Sequence, residues 1–155
     1  MNINIFDYLK ETANVSLTPQ QLQAAQTIEG PVLLLAVPGA GKTTVMVARI
    51  ANMIFHHQID PGAILTITFS KAGAVDMRRR YEALFSSLSE EYHREIPSFS
   101  TIHAFCYRVL GSYCRLTGGT APSLIESRDR TLILRELYGQ IAGEFLTEDL
   151  EEELL

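Results

Sequence analysis

The segment Ala36-Val37-Pro38-Gly39-Ala40-Gly41-Lys42-Thr43 gathers residue types that can hold a polyphosphate. Gly39 and Gly41 let backbone N–H groups turn toward one point without Cβ clashes. A helix starting near Lys42 aims its positive end at the same point. Lys42 brings a mobile cation to β- and γ-phosphates, and the Thr43 hydroxyl is placed to ligate Mg²⁺. Ala36 stands where the strict pattern has its first glycine. The plain alternative is a glycine turn beside a solvated lysine. An apolar run before the loop and a helical pattern after it argue against that alternative. The loop does not name an activity by itself, since kinases, GTPases, ATPases and helicases share it.

The flanking elements must position these groups. Thr18-Pro19-Gln20-Gln21 reads as a helix start: Thr18 as N-cap, Pro19 at the first helical position, Gln21 closing a capping box. Leu22, Ala25 and Ile28 follow on one face, and Gly30-Pro31 ends the helix. Val32-Leu33-Leu34-Leu35 reads as a strand over 32–36, buried on both faces as in a parallel sheet. A helix is predicted from Lys42 to about His56, with Val47, Ile50, Ala51, Ile54 and Phe55 inward. A strand is predicted over Ile64 to Phe69, then a helix over 71–88 with Met77, Tyr81, Leu84, Phe85 and Leu88 inward. Ser98 to Thr101 is a third strand, and Ile102 to Leu116 a helix burying Cys106, Val109, Leu110 and Tyr113. Ile5, Tyr8 and Leu9 suggest a short helical turn. Thr117 to Pro122 reads as a boundary loop. Beyond it, Ser127 caps a helix carrying Leu134, Leu137, Tyr138, Ile141 and Phe145, and Thr147 starts another. The pattern is α/β, a βαβ unit opened by a glycine loop and followed by helices.

The composition excludes several classes. With 155 residues, 46% hydrophobic and 20% charged, the chain is globular rather than disordered. Its longest apolar run, Pro31 to Ala40, is far short of the ~20 residues of a membrane span. The two cysteines, Cys106 and Cys114, would lie ~12 Å apart on one helix, too far to bridge; they read as buried thiols in a reducing cytosol. The net charge of −5 is unevenly spread. Residues 116–155 carry three basic against nine acidic side chains, whereas 70–115 carry seven against five. A polyanion partner for the middle segment is therefore compatible with the acidic average.

Four segments taken together resemble one family. Leu17-Thr18-Pro19-Gln20-Gln21, the glycine loop, Thr68-Phe69-Ser70 with Ala74, Asp76 and Met77, and Ser100-Thr101-Ile102-His103-Ala104-Phe105-Cys106 occur in this order. In order and spacing they resemble the N-terminal part of UvrD/Rep-like superfamily 1 DNA helicases, over about residues 16–115 and more loosely over 116–155. The resemblance implies a partial P-loop NTPase (RecA-like) domain with a parallel sheet over 1–116, and the start of an inserted helical subdomain from 117. It implies that Gln21 reads adenine, a use that competes with the capping box. It implies that Pro38, Gly39, Ala40, Gly41, Lys42, Thr43 and Thr44 bind nucleotide, with Lys42 catalytic and Thr43 on Mg²⁺. It assigns Thr68, Phe69, Ser70, Lys71, Thr101 and His103 to single-stranded DNA. From the residues alone, Phe69 would be core and His103 structural. The family commonly has Asn-Lys where this chain has Lys71-Ala72, and Phe where it has Ile102. His56, His57 and His93 match nothing and read as surface residues; Arg78-Arg79-Arg80 reads as a solvated helix face.

The family's Asp-Glu pair at a strand end, which orders Mg²⁺ and activates water, has no counterpart here. Asp149 and Glu151 to Glu153 sit in an acidic, helical stretch. The expectation is therefore an N-terminal, cytoplasmic fragment of an ATP-dependent helicase, partnered by the remaining motor domains, that binds ATP weakly and does not turn it over. The alternatives are a stand-alone, non-hydrolysing nucleotide- or DNA-binding module, and a small kinase, for which no arginine lid or acceptor pocket can be placed.

Overall fold

The computed structural model describes residues 3–123, 125 and 127–143. The chain divides into two compact units, Met1–Val109 and Leu110–Leu155.

The first unit begins with helix α1 (Ile5–Ala13). Asn4 caps it by accepting from the Phe6 N–H, and Asn14 ends it in the left-handed conformation at φ 51°. Ile5 and Leu9, one turn apart, are fully buried. Helix α2 (Pro19–Gln26) starts with both arms of the expected capping box. Helix α3 (Lys42–Ala51) buries Val45, Val47, Ala48, Ile50 and Ala51. It then passes into a π-helical turn, Asn52–His56, in which the His57 N–H reaches back to the Asn52 carbonyl at 3.1 Å. The π turn keeps Asn52, Ile54 and Phe55 buried, so the inward face runs to Phe55 as predicted, with one residue more than an α-helix would use.

Strand β1 (Leu65–Thr68) leads into helix α4 (Lys71–Glu91), and strand β2 (Ser98–Thr101) into helix α5 (Ile102–Thr117). The two strands are parallel neighbours in register, Leu65 opposite Ser98 and Thr68 opposite Thr101. Thr66 is buried, and its register partner Phe99 meets the Tyr81 ring of α4 at 5.9 Å between centroids. Leu65 and Ile67 alternate onto the other face and are exposed. The fold is thus mixed α/β with a parallel sheet, as expected.

The strand expected over 32–36 is a correction. Residues 31–37 carry no regular secondary structure, and the sheet among the described residues has two strands. Exposure nevertheless alternates: Val32 43% and Leu34 37% against Leu33 83% and Leu35 84%. The segment keeps a two-residue periodicity without a ladder. Hydropathy specifies such a run's apolar character, but a strand exists only where a neighbour supplies hydrogen bonds.

One apolar cluster holds α1, α3, the π turn and α4 together: Ile5, Leu9, Val47, Ile50, Ile54, Phe55, Tyr81, Phe85 and Leu88 are among its buried members. The Phe85 ring lies 5.4 Å from Tyr81, 6.1 Å from Tyr8 and 6.4 Å from Phe55 between centroids. The Tyr81 hydroxyl is buried and makes no hydrogen bond of good geometry among the described residues; the same holds for Ser89. Burial pushes the Tyr81 phenol up to about 12, with the Ser89 hydroxyl acting weakly in the opposite sense. An unfolded tyrosine ionises near 10. Its raised value stabilises the fold fully below about pH 10, and that contribution is lost as pH climbs toward 12. Denaturant melts at pH 8 and pH 11 should show the parent losing roughly 1–2 kcal/mol more than Tyr81→Phe. Equal losses in the two proteins would refute this assignment.

On α4, Arg78 pairs with Glu82 at 2.9 Å, while Asp76 receives Arg79 at 3.0 Å and Arg80 at 2.7 Å. The Arg80 hydrogen bond, seconded by Arg79, holds the Asp76 carboxyl below its ordinary value. The three arginines form the solvated, self-paired face that their helical spacing predicts. His57 and His93 are exposed, but His56 is half-buried, its Nδ1 3.3 Å from the Ile3 carbonyl.

Helix α5 corrects another expectation. Val109, Leu110 and Tyr113 are exposed, Cys106 is exposed and Cys114 is half-buried; Gly111 is its buried residue. Its apolar stripe exists, with Val109, Leu110 and Tyr113 along it open to solvent. In the second unit α5 ends where the Thr117 hydroxyl donates to the Tyr113 carbonyl, Gly118 turns at φ 74°, and the Gly119 N–H returns to Cys114. Helix α6 (Ser127–Ala142) follows. Phe145, the helix expected from Thr147, and the acidic stretch from Asp149 lie outside the described residues. No helix among the described residues is long and apolar enough to cross a membrane.

Candidate nucleotide and nucleic-acid site

The glycine loop forms as its residue types require. Gly39 and Gly41 adopt φ values of 80° and 75°, a region that side chains with a Cβ rarely enter. The Ala40 N–H closes a turn onto the Val37 carbonyl at 3.2 Å. Helix α3 starts at Lys42 with Gly41 as N-cap, and no side chain caps it. The N–H groups of its first turn therefore have no intrahelical acceptor, and with the helix dipole they favour an anion. The Lys42 ammonium folds over the loop and donates to the Ala36 and Val37 carbonyls, both at 3.0 Å. It is exposed, so it can exchange those carbonyls for phosphate oxygens.

Gln21 reaches the loop from α2. Its Oε1 accepts from the Thr18 N–H at 2.9 Å, and its Nε2 donates to the Ala40 carbonyl at 3.0 Å. A Cβ on Gly41 would lie 3.1 Å from that Nε2. Gly41 is thus constrained twice, by its backbone angle and by the approach of Gln21. Between Gln21 and Lys42 lies a cleft of about 650 Å³ whose walls include Thr18, Gln20, Leu34 and Ala40. That volume suits a ligand of nucleotide size.

A second group of residues gathers where β1 and β2 end. The Thr68 hydroxyl donates to the Ser70 carbonyl at 2.9 Å, and Ser70 caps α4 by accepting from the Gly73 N–H at 3.1 Å. The Thr101 hydroxyl caps α5 by accepting from the Ala104 N–H at 3.2 Å. Because Thr68 and Thr101 are register partners, two helix N-termini stand at adjoining strand ends. Phe69 is 90% exposed, which removes it from the core, and Lys71 and His103 are exposed as well. Phe69, Lys71 and His103 therefore stand free at one strand-end edge, while the Thr68, Ser70 and Thr101 hydroxyls there also make internal hydrogen bonds.

The sequence profile of the UvrD/REP helicase N-terminal domain matches residues 17–154. The chain belongs to this family. It is 42% identical over 100 residues to the ATP-dependent DNA helicase PcrA of Leuconostoc citreum, covering 64% of this chain and 13% of that protein. It is 34% identical over 104 residues to PcrA of Bacillus subtilis, covering 67% and 13%. It is 35% identical over 130 residues to the ATP-dependent DNA helicase UvrD1 of Mycobacterium leprae, covering 82% and 16%. The chain thus spans less than a fifth of the length of these UvrD/REP relatives.

Three positioning contacts of this UvrD/REP chain escaped the sequence reading. Arg49 donates to the Ala24 carbonyl at 3.0 Å, Asn52 to the Ala25 carbonyl at 3.4 Å, and Gln21 to Ala40. The first two tie the last turn of α2, whose carbonyls have no helical partner, to α3 and the π turn. Two polar residues three apart on an otherwise apolar stripe were the available signal. The Gln21 contact had none, since its partner is 19 residues away.

Proposed function

We propose that the chain is the nucleotide-binding part of an ATP-driven DNA translocase, with the phosphate loop as the ATP site and the strand-end edge as part of the single-stranded DNA track. The observation that supports this most is the convergence of the uncapped α3 N-terminus and the exposed Lys42 ammonium beside the Gln21 cleft. Residues 39–44 cradle the phosphates, Lys42 neutralises them, and Gln21 faces the base. When bound, Mg²⁺ supplies charge neutralisation between phosphate oxygens. Thr43 is the residue of the loop that would contribute an oxygen to it.

The proposed division of the chain is a motor portion over 1–116 and the start of a helical subdomain from 117, acting in the cytoplasm together with further motor domains. Hydrolysis needs an ordered water and stabilisation of the transferring charge. Neither strand among the described residues ends in a carboxylate pair. The chain by itself is therefore expected to bind ATP without turnover above background.

The DNA part is tested with a fluorescent single-stranded oligonucleotide. Base stacking on an exposed aromatic contributes about 1–3 kcal/mol, so Phe69→Ala should weaken binding roughly 5- to 150-fold. Lys71→Ala should instead lower the salt dependence by about one phosphate contact. Unchanged affinity in Phe69→Ala, or brisk DNA-stimulated ATP hydrolysis by the chain alone, would defeat these assignments.

A further inference from the structure

We propose that Gln21 is a positioning residue for the phosphate loop, in addition to any contact with a base. This rests on the reading of the loop as a nucleotide site. The amide is held at both ends: Oε1 by the Thr18 N–H at 2.9 Å, Nε2 by the Ala40 carbonyl at 3.0 Å. The first bond belongs to the capping box that starts α2. The second reaches the residue between the two left-handed glycines. Arg49 and Asn52 fix the other end of α2 to α3 and the π turn through the Ala24 and Ala25 carbonyls. The loop is therefore strapped, through Gln21 and α2, to the same helix whose N-terminus it opens. Glycines would otherwise leave the loop many conformations to lose on binding phosphate. An amide carries two N–H donors and two acceptor lone pairs, so one of each remains for a base edge. Cap, loop brace and base reader then coexist in one side chain, linking the base end of the cleft to its phosphate end.

The test separates brace from base reader with a ligand that has no base. Inorganic tripolyphosphate should bind Gln21→Ala about fivefold more weakly than the parent, the loss expected of one neutral hydrogen bond. ATP should lose more, because base contacts go as well. A pure base reader would leave tripolyphosphate binding unchanged, and that result would overturn the proposal. Amide hydrogen exchange without added ligand decides the brace independently. Gln21→Glu keeps an acceptor for the Thr18 N–H, and so keeps α2, but loses the donor to Ala40. Exchange at Ala40 and Gly41 should quicken several-fold in this variant while α2 stays protected. Parental exchange at the loop would refute the brace. Failure of the parent to bind tripolyphosphate would refute the nucleotide site and leave the exchange result standing on its own.

Discussion

Replacing Lys42 by alanine is expected to weaken ATP binding at least about tenfold. A charge-assisted hydrogen bond contributes about 1.5–3 kcal/mol, and the ammonium, now shared between the Ala36 and Val37 carbonyls, can transfer to two phosphate oxygens. Those carbonyls lie on exposed or half-exposed residues and return to water in the variant. The fold should therefore lose little, within about 0.5 kcal/mol. Isothermal titration with ATP, with a thermal melt as control, measures both quantities. Parental affinity in a folded Lys42→Ala protein would dismiss the loop as a phosphate site.

The largest effect on stability is expected at Phe85. Its ring is fully buried among Tyr8, Phe55 and Tyr81, and so joins α1, the π turn and α4. Truncation of a buried phenylalanine to alanine costs about 3–5 kcal/mol in lost transfer energy and cavity formation. Domain stabilities run about 5–15 kcal/mol, so Phe85→Ala should bring the chain close to unfolding. Urea denaturation followed by circular dichroism tests this, with Val75→Ala on the exposed side of the same helix as a control expected within about 0.5 kcal/mol. Similar midpoints for the two variants would show that the aromatic cluster does not organise the fold.

What the sequence made legible was mostly local. The capping box of α2 was readable because Thr18, Pro19 and Gln21 act within one turn. The inward faces of α3 and α4 were readable because a 3.6-residue period marks a stripe. The loop's positive φ angles followed from two glycines. What stayed hidden depends on partners distant in sequence. The apolar character of Val32–Leu35 was correct and its ladder was not, because pairing is decided by another segment. The stripe expected to face inward on α5 is exposed, because spacing cannot say whether anything lies over it. Phe69 was ambiguous for the same reason: an aromatic at a strand end has one composition whether it faces the core or water. The Gln21–Ala40 bond belongs to this class as well.

The alternating exposure of Val32 to Leu35 has a practical consequence for handling the chain. An apolar backbone segment with a two-residue period and no ladder among the described residues is a template onto which a like segment of another molecule can hydrogen-bond edge to edge. It holds no charged residue and no proline between 32 and 35 to discourage such addition. Solutions of the chain should accordingly form β-rich assemblies as concentration rises. A lysine at outward-facing Leu33 or Leu35 is the substitution that keeps the molecules apart while leaving Val32 and Leu34 in place over α3.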